Sequence, residues 1–109
     1  MIGNKEKCHN YSINTLHNTA MEIAFLGYEY AESDETSKEL YKKAYELEVQ
    51  AANLSNENPS KGILYRSAAT LAKEAELWDE ALEAINKGLE SNPPSYIENE
   101  LKEIANEVK

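Results

Sequence analysis

Four Gly, three Pro, one Cys, one Phe and one Trp in 109 residues leave this chain few of the pieces that turn-rich, disulfide-built or membrane-embedded proteins need. The scarcity of Gly and Pro argues against sheet architectures dense in turns and against a disordered chain. A single cysteine, Cys8, cannot close an internal disulfide and fits a reducing cytoplasm. No apolar run approaches the roughly 20 residues that cross a bilayer, the longest being broken by Glu22 and Glu29. The opening MIGNKEKC carries charges with no apolar stretch behind it, so no signal peptide is read there. Without a secretory route, the glycosylation-like triplets Asn10-Tyr11-Ser12 and Asn53-Leu54-Ser55 are chance matches.

Cations are also scarce. Eleven Lys and Arg stand against 20 acids, giving a net charge of −9. Phosphate recognition needs a basic face, so nucleic acid is not the expected partner, and an anionic membrane surface is disfavoured for the same reason. Neutral or basic polypeptides remain. Solubility alone would also account for the acidity.

What is present is helix-forming. The chain is 41% hydrophobic and 28% charged, with 18 Glu against two Asp, and its length suits one domain with a single core. Residues 1–11 read as a polar lead-in, extended or frayed, ahead of one helical domain over 12–109. From Ser12 the apolar residues Ile13, Leu16, Ala20, Ile23, Ala24, Gly27 and Ala31 fall at helical spacing. A second stripe at Met21, Phe25 and Tyr28 predicts a first helix over 12–32 buried on more than one side. Gly27 inside it points to close approach by a neighbouring helix.

Thr36 with Glu39 has capping-box spacing for a second helix that carries Leu40, Tyr41, Ala44, Tyr45, Leu47, Ala51, Ala52 and Leu54. Pro59 suits the first position of a third helix, over 60–75, with Leu64, Ala68, Leu71 and Ala75 on one line and Tyr65, Ala69 and Ala72 on the next. A fourth helix over 78–91 is expected to bury Trp78, Ala81, Leu82, Ile85 and Leu89 before Asn92-Pro93-Pro94 stops it. Ser95 and Glu98 have capping-box spacing for a fifth, whose narrow stripe of Ile97, Leu101, Ile104 and Val108 suits an end cap wet on its other sides.

Superposing the two helix pairs on their second helices puts Tyr41-x-x-Ala44 over Trp78-x-x-Ala81. An aromatic three residues before a small buried alanine is a repeat signal, because the alanine marks the closest approach of the paired helices. From Gly62 to Pro94 the chain resembles a tetratricopeptide repeat, with Tyr65, Ala68, Ala69 and Ala72 followed by Ala81, Ile85 and Pro93 at matching positions. Trp78-Asp79-Glu80-Ala81-Leu82 and the closing Lys87-Gly88-Leu89-Glu90-Ser91-Asn92-Pro93 resemble the family's turn and end segments. Ile23, Leu26, Gly27 and Tyr30, then Ala44, Ala51 and Pro59, resemble a divergent first unit with extra residues at its first turn and before Pro59. Glu48 stands there where the family has an aromatic. The closing Gly-Leu-x-x-Asn-Pro-Pro and the small-residue run Arg66-Ser67-Ala68-Ala69 are similar to those of small bacterial proteins of this type, from which no activity carries over.

The expected architecture is therefore all-α: antiparallel helical hairpins in a tetratricopeptide-like array, with a C-terminal capping helix, about five helices in all. No catalytic constellation is read. Cys8, His9 and His17 are too few and wrongly spaced to make a metal site, and neither a nucleophile with a base nor a cofactor motif is present.

The resemblance implies that the first helix of each pair lines a concave groove. Carried onto this chain, that groove includes Met21 and Tyr28 on helix one and Arg66, Thr70 and Lys73 on helix three. Arg66, the one arginine, and Lys73 would receive an acidic group or chain terminus of a protein or peptide partner, with Met21 and Tyr28 supplying apolar contact. The bland alternative pairs Arg66 with Glu29 or Glu74 and packs Tyr28 in the core. Two other uses of the surface stand beside it: a homodimer through helix one, and an antitoxin-like subunit whose acidic surface masks a basic enzyme.

Overall fold

Four short connections join five helices: α1 (Asn4–Glu29), α2 (Asp34–Leu54), α3 (Ser60–Glu74), α4 (Trp78–Glu90) and α5 (Ser95–Glu107). The computed structural model describes residues 4–108, with side chains described over 12–108. Each helix packs against the next, and α5 packs against both α3 and α4, so the chain forms an all-α array of antiparallel hairpins with no strand among the described residues.

The pairing follows from small residues. Ala44, Ala51 and Ala52 of α2 and Ala68, Ala69 and Ala72 of α3 have no exposed surface, and stripes of alanine let helix backbones approach closely. The bulky core lies toward the C-terminus, where Ile85, Ile97 and Leu101 are the large side chains sealed between α3, α4 and α5. Two helical glycines fit this close packing. A Cβ on Gly62 would meet the Pro93 ring at 2.8 Å, and one on Gly88 would meet Leu101 at 2.9 Å.

The periodicity placed α2, α3 and α5 on the faces they use, and it misplaced parts of α1 and α4. α1 begins at Asn4 rather than near Ser12, because nothing after Asn4 breaks a helix until its far end. Its second stripe is open rather than buried: Phe25 and Tyr28 are exposed, since α2 is the only helix laid extensively along α1 among the described residues. Gly27 is approached by the ring of Tyr41, 3.2 Å from where a Cβ would stand, and not by a helix backbone. In α4, Trp78 and Leu82 are exposed because the inward face is Ala81, Ala84, Ile85 and Gly88.

Neither capping box forms. α2 starts at Asp34, so Thr36 is already inside the helix and accepts a hydrogen bond from the Ser33 hydroxyl at 3.0 Å. Ser95 is the first helical residue of α5 behind Pro94, and Glu98 instead pairs with Lys102 at 2.8 Å.

Turn chemistry comes from other residues. At the end of α3, Leu77 N–H reaches Ala72 O at 2.8 Å and Glu76 N–H reaches Lys73 O at 2.9 Å, a Schellman closure with Glu76 in the left-handed region at φ 60°. At the end of α4, Asn92 takes the left-handed position at φ 59° and its N–H bonds Leu89 O, while Pro93 has no N–H to add the outer bond.

Asn58 ties the two hairpin ends together. Its amide donates to the carbonyls of Ser91 and, at 3.2 Å, Asn92, while its Oδ1 accepts from Gly62 N–H at 3.0 Å. One side chain thus satisfies orphan groups at the start of α3 and the end of α4.

Candidate binding surface

On α3, Arg66, Thr70 and Lys73 fall at helical spacings of four and three, so they share one face. That face looks toward α5. The Arg66 guanidinium donates to Glu100, and Lys73 Nζ donates to Glu107 Oε1 at 2.7 Å. Thr70 Oγ1 donates to the Arg66 carbonyl at 3.1 Å, turning its hydroxyl proton back onto its own helix. Arg66 and Thr70 line a shallow cleft of about 290 Å³ whose other wall is Glu100, Glu103, Ile104 and Glu107 of α5, and Lys73 borders it only through its pair with Glu107.

The acids that pair with the two cations are therefore on α5, not Glu29 or Glu74. Both pairs join residues 34 positions apart, which means α3 and α5 run parallel and in register. Three carboxylates and two cations leave the cleft with a net negative charge, so an incoming carboxylate would have to displace Glu100 or Glu107. Side chains here are partly exposed, and such pairs contribute no more than about 1 kcal/mol each.

Met21 and Tyr28 do not line that cleft. Met21 is partly buried against the core. Tyr28 is 68% exposed and stands among Phe25 at 61%, Leu26 at 44% and Tyr30 at 53%. Three of these large side chains stand on the last turns of α1 and Tyr30 in the turn after it; Phe25 and Leu26 share a helical face with Glu22 and Glu29, and Tyr28 flanks Phe25 on the side away from Leu26. Taking about 200 Å² for each fully exposed large side chain, their separate exposed areas sum to on the order of 400 Å².

Tyr28 also lies close enough to Tyr41 of α2 to act on the Tyr41 phenol, as does Glu74 of α3. Burial, with these neighbours, raises the Tyr41 phenol above its ordinary value. Leu26 and Tyr30, repeat positions by the resemblance, and Phe25, core by its spacing, are all in solvent. The missing signal was topological: α1 opens the array, and no preceding helix is there among the described residues to cover it.

The charge around this patch is one-sided. Residues 8–37 contain no Lys or Arg, and Glu22, Glu29, Glu32, Asp34 and Glu35 are all exposed. The nearest cation, Lys38, is held between Asp34 at 2.9 Å and Glu76 at 3.1 Å, and hydrogen bonds to these two carboxylates raise its pKa.

No group of three or more His, Cys, Asp or Glu side chains among the described residues could hold a metal ion. Cys8 and His9 lie outside the residues whose side chains are described. His17 is committed to Glu48, 2.9 Å away. No described helix is long and apolar enough to cross a membrane. Comparison of the chain with protein-family models, with curated proteins and with solved structures finds no match.

Proposed function

We propose that this protein is a non-catalytic protein-interaction module of tetratricopeptide type, acting in the cytoplasm and binding a polypeptide rather than nucleic acid or a membrane. The carrying observation is the exposure of Phe25, Leu26 and Tyr28 at the end of α1 and of Tyr30 just after it. A monomeric domain has little reason to leave four large apolar side chains in water on one helix end unless something covers them. The repeat reading is supported by the helical hairpins and by the in-register α3 and α5, whose paired residues are separated by the 34-residue period of that family.

The groove reading of Met21, Tyr28, Arg66, Thr70 and Lys73 keeps its place with a changed emphasis. Tyr28 is available as it stands, whereas Arg66 and Lys73 become available to an acidic group only when α5 yields its carboxylates. The antitoxin-like alternative, an acidic surface masking a basic enzyme, is favoured by the run of exposed acids around the α1 patch.

A displayed random-peptide library selected on the folded protein tests the module reading. Enriched peptides are expected to bind at least about tenfold more weakly to a Phe25→Ala, Tyr28→Ala variant and equally well to Gln50→Ala. Failure to enrich any binder, or binders indifferent to the α1 variant, would remove the proposal.

A further inference from the structure

We infer that the exposed end of α1 docks a basic amphipathic polypeptide segment, whose apolar side chains cover Phe25, Leu26, Tyr28 and Tyr30 while its flanking Lys or Arg residues pair with Glu22, Glu29, Glu32 and Glu35. The inference rests on the polypeptide-binding reading and adds the chemistry of the partner.

Charge complementarity carries it. Helical spacing sets Glu22 and Glu29 on either side of Phe25 and Leu26, one turn before and one turn after. Glu32 and Glu35 follow in the turn and at the start of α2. Among the described residues none of these four carboxylates is in an ion pair, while Asp34 is held by Lys38. Large apolar side chains interleaved with unpaired carboxylates make a surface that selects a partner of opposite sign, since the apolar contact gives affinity and the charges steer and discriminate.

The same features argue against a second copy of this chain. Two copies meeting through this patch would bring like-charged rims together, and like-charge juxtaposition is costly. The patch is also small. On the order of 400 Å² is about half of one partner's share in a standard interface, well short of what obligate dimers bury, and is a size suited to the few anchors of a peptide helix. A membrane surface is opposed by the same acids, because anionic headgroups would be repelled.

The test uses the full chain and two fluorescein-labelled probes: an amphipathic helical peptide of Leu and Lys, and its counterpart with every Lys replaced by Glu. Binding is followed by anisotropy. Three variants are compared. Phe25→Ala with Tyr28→Ala removes anchors at constant charge, Glu29→Lys with Glu32→Lys reverses the rim, and Glu57→Lys with Glu90→Lys makes the same charge change at exposed positions toward the other end of the hairpins. All alter exposed side chains, and a thermal melt checks that each stays folded.

The Lys peptide is expected to bind and the Glu peptide not to bind, with the anchor and rim variants each losing at least about tenfold and the Glu57, Glu90 control staying within about twofold. Equal losses in rim and control variants would overturn the inference, because diffuse acidity would then suffice. Equal binding of the Glu peptide would overturn the charge preference while leaving the module reading intact. So would failure of both probes beside library peptides that do bind the patch. Sedimentation showing a dimer that Phe25→Ala dissolves would give the surface to a second copy. If no library peptide binds either, the failure belongs to the module reading itself.

Discussion

His17 Nδ1 lies 2.9 and 3.0 Å from the two carboxylate oxygens of Glu48, a side chain with no exposed surface at all. The pair bridges α1 and α2, so a polar clasp is built into the packing of the first hairpin. Removing one partner of a buried pair leaves the other desolvated and unsatisfied. His17→Ala is expected to lower the unfolding free energy by about 2 kcal/mol, less than the full cost of a sealed pair because the half-exposed imidazole site would admit water. His17→Leu combined with Glu48→Leu is expected to recover most of that loss. Urea denaturation of the single and double variants checks both; a double variant no better than the singles would count against the clasp.

Gly62→Ala improves intrinsic helix propensity by about 1 kcal/mol, yet the new methyl would collide with the Pro93 ring, which cannot swing aside. Overpacking costs typically 1 to 3 kcal/mol, so the net change is expected to be destabilising by about 1 kcal/mol. A thermal melt above that of the unaltered chain would show that α3 and the Pro93 segment can separate freely.

Asn58→Ala strips partners from the last carbonyls of α4 and from Gly62 N–H in one step. An expected loss of about 1 to 2 kcal/mol follows from leaving partly buried backbone groups unmatched. Amide exchange offers a sharper reading than a melt, because protection should fall first at Gly62 and the start of α3.

Glu76 occupies a left-handed backbone position that disfavours any residue with a Cβ. Glu76→Gly is expected to raise the melting temperature by about 4 °C, even though it gives up the contact with Lys38. A lower melting temperature would mean that the ion pair outweighs backbone relief.

Tyr41, Tyr45 and Tyr65 have phenol pKa values raised above 10.0, in each case chiefly by burial, with nearby glutamates adding to it. The folded state therefore holds the phenolic protons more tightly than the unfolded chain does. Stability from this source is complete below the unfolded value near 10 and falls as pH climbs through the raised folded values. Phenolate absorbance should show a delayed phase that becomes cooperative with unfolding, and Tyr45→Phe should flatten the stability decline above pH 10. An unchanged decline would assign alkaline unfolding to other groups.

Helical periodicity was a faithful guide for α2, α3 and α5. The faces of α2, α3 and α5 were readable because Ala44, Ala51, Ala68, Ala72, Ile97 and Leu101 must all point inward to be sealed. The same pattern misled at α1, since Phe25 and Tyr28 repeat at core spacing but have nothing to pack against. Periodicity reports a helix's apolar face; whether another element covers it depends on position in the array.

Side-chain pairing across hairpins was likewise illegible. Arg66 was recognisable as a distinctive cation, but its partner Glu100 follows only once α5 is known to lie parallel to α3. Asn58 looked like an ordinary loop residue because the groups it bonds lie on a turn 33 and 34 positions away. Glu48 gives no sign in sequence of its partner, because His17 lies 31 positions away on α1.

The constant separation of Arg66 from Glu100 and of Lys73 from Glu107 also sets a ruler on the chain between them. One residue inserted in a helix turns everything beyond it by about 100°, so an insertion within α4 would have to be undone before α5 begins. Lengthening is tolerable only in the turn at 91–94, and even there Asn58 grips the carbonyls of Ser91 and Asn92. Length variation is thus resisted between Arg66 and Glu107, and at the exposed turn at 30–33 a gain or loss of residues would have to leave His17 facing Glu48 and the Ser37 hydroxyl on the Gly27 carbonyl.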